Sequence, residues 1–148
     1  MGCKSIPIVQ NAAITQFSVA PSATLLQQAQ QMGIQVQAPP PVQVNALVDT
    51  GCSLTAVSGQ AAQQAGLLVI GQGVVQTANG QVVNNLYFGD IKIAYVQNNI
   101  PYTATFHNRT IAQYLGAGPV NDALLGMDLL NDGVLVVDGT QNMMTFCW

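Results

Sequence analysis

The chain is built from many short apolar stretches that end at Gly, Pro, Asn or Asp. Several of them alternate between apolar and polar positions, which is typical of half-buried β-strands. Such a series of short strands with frequent turn residues predicts a small, mostly-β barrel or sandwich. The predicted strands cover residues 4–9, 14–19, 42–48, 54–57, 67–70, 73–78, 81–96, 100–106, 122–125, 134–137 and 143–148.

Apolar residues at the three- and four-residue spacing of a helix occur in only a few short segments. Residues 23–32 combine good helix formers with apolar positions three and four apart, between Ser22 as an N-cap and Gly33 as a stop. Weaker signals predict a small helix over 59–66, a short helix or turn over 111–115, and a brief helix after Gly126.

One turn signal is strong. Asn79-Gly80 lies between the β-rich runs 73–78 and 81–83, and Asn-Gly between such runs predicts a two-residue hairpin. Asp138-Gly139 predicts a second turn, which joins the last two strands.

The composition adds constraints to this picture. The chain has 148 residues, of which 49% are hydrophobic and only 6% are charged, so it is long enough to fold as one domain without a metal or disulfide. The net charge is −3 and the permanent cations are Lys4, Lys92 and Arg109. Nucleic acid is therefore not expected as a partner, because phosphate binding needs clustered Lys and Arg.

The sequence also argues against a membrane protein, an exported protein and a metalloprotein. No apolar run approaches the ~18 residues of a membrane span, and the N-terminus lacks the apolar core of a signal peptide, so we expect a cytoplasmic protein without membrane contact. Cys3, Cys52 and Cys147 are far apart and His107 is the only histidine. This spacing predicts no metal site and no cofactor.

The segment that most suggests a functional site is Ala46 to Ser53, in which an apolar run leads into Asp49-Thr50-Gly51. A carboxylate at the end of a buried strand is unfavourable unless it is paired or functional. The octapeptide alone fits two interpretations equally, an ordinary turn after a strand or a catalytic aspartate.

Two downstream motifs favour the catalytic interpretation. Thr77-Ala78-Asn79-Gly80 follows at a spacing of about thirty residues, and Ala123-Leu124-Leu125-Gly126 precedes a short helical signal. With these three motifs in this order, the chain resembles the retropepsin-like aspartic proteases, the single-domain relatives of retroviral proteases. The resemblance covers about residues 41–148, and the longer N-terminal part, 1–40, is similar to bacterial members.

The resemblance implies a single retropepsin-like domain over 1–148, a small closed β-barrel of the acid-protease type with one or two short helices. Residues 1–40 would supply N-terminal strands and a short helix, and 41–148 the protease core with a flap at about 73–88. It also implies roles for three groups of residues. The catalytic loop would be Asp49, Thr50 and Gly51, the substrate-binding flap tip Ala78, Asn79 and Gly80, and the structural support Leu124, Leu125 and Gly126.

Hydrolysis by this family needs two neighbouring carboxylates, and the chain has one Asp-Thr-Gly. Each chain would therefore carry half a site, and a homodimer would place two Asp49 carboxylates on its axis to act on a peptide or protein substrate. Two alternatives remain open. One is a retropepsin-like dimerisation or peptide-binding domain with little or no proteolysis, and the other is a β-barrel interaction module in which Asp-Thr-Gly is a turn.

The chain departs from the family pattern at two positions. Cys52 replaces the common Ala after Asp-Thr-Gly, and Met127 replaces an Arg that often follows the second Gly. Cys3 and Cys147 could approach each other, because terminal strands in this family often interleave at the dimer interface. In a reducing cytoplasm we expect both to be free thiols.

Overall fold

The computed structural model describes residues 1–77, 79–116 and 118–148. Within these ranges it contains ten strands and three short helices. The strands are β1 (Cys3–Val9), β2 (Ala12–Ala20), β3 (Val42–Val48), β4 (Ala56–Ser58), β5 (Leu68–Thr77), β6 (Gly80–Gln97), β7 (Ile100–Tyr114), β8 (Ala123–Leu125), β9 (Val134–Asp138) and β10 (Met143–Cys147). The helices are α1 (Ala23–Gln31), α2 (Gly59–Gln64) and α3 (Met127–Leu130).

Six strands form a closed barrel. Their order around the ring is β2, β3, β8, β4, β7 and β6, and the pairing of β6 with β2 closes it. The pairs β3–β8 and β4–β7 are parallel, and the others are antiparallel. The prediction of a small closed β-barrel with short helices is confirmed.

The barrel interior is filled by the inward-facing apolar positions of these strands. Phe17, Val19, Val44, Ile91 and Leu125 are all buried within it. Successive residues of one strand point to opposite faces of a sheet, so this interior follows from the alternation in the sequence.

The helices lie where the sequence predicts them. The Ser22 hydroxyl accepts a hydrogen bond from the Leu25 N–H at 3.3 Å, which confirms the predicted N-cap of α1. The Ser58 hydroxyl accepts a hydrogen bond from the Ala61 N–H of α2 at 3.2 Å. These caps satisfy N–H groups that have no partner inside the helix.

Strands β5 and β6 form the hairpin that Asn79-Gly80 predicts, with Val74 opposite Val83 and Thr77 opposite Gly80. One prediction next to it was wrong: residues 111–115 are not a helix or turn, because β7 continues to Tyr114. Ala112 pairs with Leu86 of β6 on one side and with Ala56 of β4 on the other. Strand partners on both sides override a weak local helical preference.

The two chain ends form a small sheet in the order β9, β10, β1, which joins the barrel through β2. Cys3 lies opposite Cys147 in the antiparallel β1–β10 pair, with 4.1 Å between their Cα atoms, and the two are joined by a disulfide. The expectation of free thiols is therefore corrected. The pairing of both termini within one chain brings the sulfurs together without any second copy.

Candidate active site

Asp49 follows directly after β3, where that strand leaves the barrel wall. Val48 is opposite Leu125 of the parallel strand β8. The pairing continues one residue further, because the Asp49 N–H donates to the Leu125 carbonyl at 3.0 Å. The backbone of the Leu-Leu-Gly motif thus fixes where the Asp49 carboxylate leaves the sheet.

The turn after Asp49 is closed partly by its own carboxylate. Asp49 Oδ1 accepts a hydrogen bond from the Gly51 N–H at 2.9 Å, and the Asp49 carbonyl accepts one from the Cys52 N–H at 3.2 Å. A Cβ atom on residue 51 would lie 3.2 Å from Asp49 Oδ1, so glycine permits this close approach. Thr50 and Gly51 are exposed in the single chain.

The turn rests on the start of α3. The Met127 N–H donates to the Cys52 carbonyl at 2.8 Å, and the Asp128 N–H donates to the Ser53 carbonyl at 3.1 Å. Because these N–H groups lie at a helix N-terminus, they lack partners within α3. The helix thereby holds the Asp49 turn by its backbone.

Gly126 lies where the Leu-Leu-Gly motif packs against the residues that follow Asp-Thr-Gly. A Cβ atom at this position would lie 2.5 Å from the Leu54 carbonyl carbon and 2.6 Å from its oxygen. No such approach is possible with a side chain in place, so β8 and the loop after Asp49 can pack at this distance only with glycine at residue 126.

A buried network beneath the loop was not foreseen from the sequence. Asp128 Oδ1 accepts hydrogen bonds from the Thr55 N–H at 2.7 Å and the Thr55 hydroxyl at 2.8 Å. The Thr55 hydroxyl oxygen in turn accepts a hydrogen bond from the Gly126 N–H at 3.1 Å. The available signal was an aspartate in the first turn of a predicted helix, a position where a carboxylate is favourable, but its partner lies 73 residues away.

Cys52 is held in the same loop. Its Sγ donates to the Leu54 carbonyl at 2.9 Å. Burial, and to a smaller extent the negative charges of Asp49 and Asp128, raise the pKa of this thiol. The net effect favours the neutral thiol, and Cys52 fits the site as a small half-buried side chain.

A cleft of about 660 Å³ lies between the Asp49 loop and the β5–β6 hairpin. Its walls are mostly apolar, and Asp49 is the only charged residue among the described residues that line it. The other lining residues are Gly51, Cys52, Ser53, Leu54, Ala56, Gly73, Val74, Val75, Gln76, Asn84, Leu86, Ala112, Gln113, Tyr114, Leu115, Gly116 and Leu124. Tyr114 and its neighbours come from the end of β7, which carried no site signal in the sequence.

The predicted flap residues have different placements. Ala78 lies outside the described residues. Asn79 and Gly80 form the tip of the hairpin and do not line the cleft, and Gly80 has a positive φ of 110°. Among the described flap residues, the segment that lines the cleft on β5 is instead Gly73 to Gln76.

The three predicted support residues also separate. Leu125 is buried in the barrel interior and Gly126 packs on Leu54. Leu124 is half-buried and lines the cleft, so the two leucines face opposite sides of β8, as strand geometry requires.

The other five aspartates are bound elsewhere and do not line the cleft. Asp90 accepts from the Ala23 and Asn108 N–H groups, Asp122 from the Asn45 N–H, Asp128 from Thr55, and Asp138 from Thr140, while Asp132 pairs with Arg109. One chain therefore brings one carboxylate, Asp49, to the cleft.

Two kinds of site are absent from the described residues. They contain no group of three or more His, Cys, Asp or Glu side chains that could hold a metal ion. They also contain no helix of the length and apolarity needed to cross a bilayer.

Comparisons with known proteins agree with this geometry. The sequence profile described as aspartyl protease matches residues 33–129. Twelve chains of solved structures match, among them the crystal structure of a retropepsin-like aspartic protease from Rickettsia conorii, with a TM-score of 0.58 and 19% identity over 98% of this chain and 89% of that one. A search of curated proteins found no match.

Proposed function

Because the chain belongs to the aspartyl protease family, we propose that it is an aspartic endopeptidase that acts as a homodimer. The observation that carries this proposal is the placement of Asp49. Its carboxylate is fixed by the Gly51 N–H at the base of a largely apolar cleft that a β-hairpin covers. A carboxylate placed in this way is suited to act on an uncharged peptide group lying in the cleft.

The second carboxylate of the reaction would come from a second copy of the chain. Thr50 and Gly51, which follow Asp49, are exposed in the single chain, so a two-fold axis beside them could bring two Asp49 residues together. The Thr50 hydroxyls would then link the two loops below the carboxylates.

Two carboxylates at such a short distance share one proton, because both cannot be ionised together. The ionised oxygen takes a proton from a water molecule, which attacks the carbonyl carbon of the peptide bond. The protonated carboxyl donates a hydrogen bond to the carbonyl oxygen and stabilises the negative charge that develops there. No metal or cofactor is needed for this chemistry.

The substrate would be an extended peptide that lies between the catalytic loops and the flaps. Main-chain hydrogen bonds along β5 would hold it by strand addition, and closure of the flap tips around Asn79 and Gly80 would exclude water. The alternative is a domain that binds peptides or dimerises with little or no cleavage.

Cleavage of a mixed peptide library distinguishes these possibilities. Wild type, Asp49→Asn and the matched control Asp138→Asn are incubated with the library between about pH 4 and 7, with and without pepstatin. We expect wild type and Asp138→Asn to cleave the same bonds, pepstatin to inhibit both, and Asp49→Asn to be inactive. Equal cleavage by wild type and Asp49→Asn, or no cleavage by either, would contradict the proposal; in the second case, binding of peptides without cleavage would favour the alternative.

A further inference from the structure

Asn84 is a polar residue buried in the wall of the cleft. Only 4% of its surface is exposed, although it lies on the flap strand β6 and lines the cleft. Buried polar atoms in folded proteins almost always have hydrogen-bond partners, so the partners of Asn84 are informative.

One end of the Asn84 amide is paired and the other is not. Asn84 Nδ2 donates to the Gln113 carbonyl at 2.9 Å, whereas Oδ1 is buried without a hydrogen-bond partner. The pairing fixes the orientation of the amide, because a flipped group would place its oxygen against the Gln113 carbonyl, where two acceptors would face each other. Oδ1 is therefore a buried acceptor with unused capacity.

The residue beside this oxygen on the neighbouring strand is a glycine, which has no side chain to cover it. Gly73 is the cross-strand partner of Asn84 and also lines the cleft. A Cβ atom on residue 73 would lie 3.4 Å from Asn84 Oδ1 and 3.3 Å from Leu86 Cδ2. Any side chain at residue 73 would therefore lie against both the Asn84 oxygen and the Leu86 side chain.

We propose that Asn84 determines substrate specificity: its Oδ1 accepts a hydrogen bond from an amide or hydroxyl side chain of a bound peptide, through the space left by Gly73. This inference rests on the proposed peptide-binding function of the cleft. In the free chain this oxygen has almost no accessible surface, so the end of a peptide side chain reaches it by displacing the half-buried Leu86 side chain beside it, and the substrate backbone does not reach it. The donor is uncharged, because the oxygen is buried beside Leu86 and burying a charge there is unfavourable.

The preferred substrates then carry Gln, Asn, Ser, Thr or Tyr at one position near the cleaved bond. A matching apolar side chain would leave Oδ1 unpaired, and sites that hydrogen-bond a substrate group discriminate strongly against analogues that lack it. The remaining cleft residues are mostly apolar, so the other positions of the peptide carry apolar side chains.

The test uses octapeptides in which each position in turn carries Gln, Met, Tyr or Phe. Cleavage by the wild-type protein is measured for each peptide, and so is binding to Asp49→Asn, which lacks the catalytic carboxylate. Both measurements are repeated with Asn84→Leu, which removes the acceptor, and with Gly73→Ala, which covers it but keeps the Asn84–Gln113 hydrogen bond. Gly71→Ala is the matched control, because a Cβ there meets nothing within 4 Å and Gly71 does not line the cleft.

We expect one position at which Gln is preferred over Met, or Tyr over Phe, by about tenfold. Gly71→Ala retains this preference, Gly73→Ala reduces it and Asn84→Leu abolishes it. The inference is overturned if no position shows the preference, or if Asn84→Leu keeps it. If Asp49→Asn shows the Asn84-dependent preference in binding while the wild-type protein cleaves nothing, the inference stands and the proteolytic function fails. If the protein cleaves peptides without the preference, the function stands and the inference fails.

Discussion

At the scale of single residues, the part of the site that one chain supplies consists of Asp49 and the groups that hold it. The Gly51 N–H binds its carboxylate, the Leu125 carbonyl binds its N–H, and Asp128 holds Thr55 beneath the same loop. The sequence indicated Asp49 and Gly51 through a motif. It did not indicate Asp128, because that role depends on a contact between segments distant in the chain.

Gly126→Ala tests how closely the two motifs must pack. The added Cβ would lie 2.5 Å from the Leu54 carbonyl carbon, so the catalytic loop or β8 must shift. We expect the free energy of unfolding to fall by about 1–3 kcal/mol, the usual range for overpacking, as measured by urea denaturation. The control is Gly139→Ala, where a Cβ meets nothing within 4 Å. An unchanged midpoint for Gly126→Ala would show that the loop does not need this contact.

At the scale of secondary-structure elements, alternation in the sequence predicted most strands and missed their lengths. β7 was predicted to end near residue 106 and extends to Tyr114, because β4 and β6 pair with its second half. The cleft residues Gln113 and Tyr114 lie on this unforeseen part. Pattern in one segment cannot reveal partners that other segments supply.

The pairing of β1 with β10 gives a second prediction at this scale. The Cys3–Cys147 disulfide spans 144 residues, so it restricts nearly the whole unfolded chain. Replacing both cysteines by serine should lower the free energy of unfolding by about 2–5 kcal/mol, within the range for long disulfide loops. Urea denaturation with and without reductant measures this, and Cys52→Ser serves as the control because Cys52 is free.

Reductant should destabilise wild type and Cys52→Ser to the same extent, and it should not affect the double variant. If reductant leaves the wild-type midpoint unchanged, the bridge does not contribute to stability.

At the scale of the whole molecule, the barrel closes within one chain, whereas the proposed active site needs a second copy. Six strands close within one chain, and both chain ends are paired within it. The cleft nevertheless holds a single carboxylate. The sequence predicted this incompleteness from the count of Asp-Thr-Gly motifs. It could not predict the pairing of β1 with β10 inside the chain, because strand pairing between distant segments leaves no local pattern.

A mixing experiment tests whether two copies complete the site. Wild type and Asp49→Asn are unfolded together, refolded and assayed at a constant amount of wild type. If each site needs Asp49 from both chains, random pairing reduces the activity to about one half with an equal amount of Asp49→Asn, and to about one quarter with a threefold excess. Asp138→Asn as the added chain should cause no such loss, because its own Asp49 completes the site. Activity that stays constant at every ratio of Asp49→Asn would mean that one Asp49 is sufficient, and the dimeric mechanism would then be wrong.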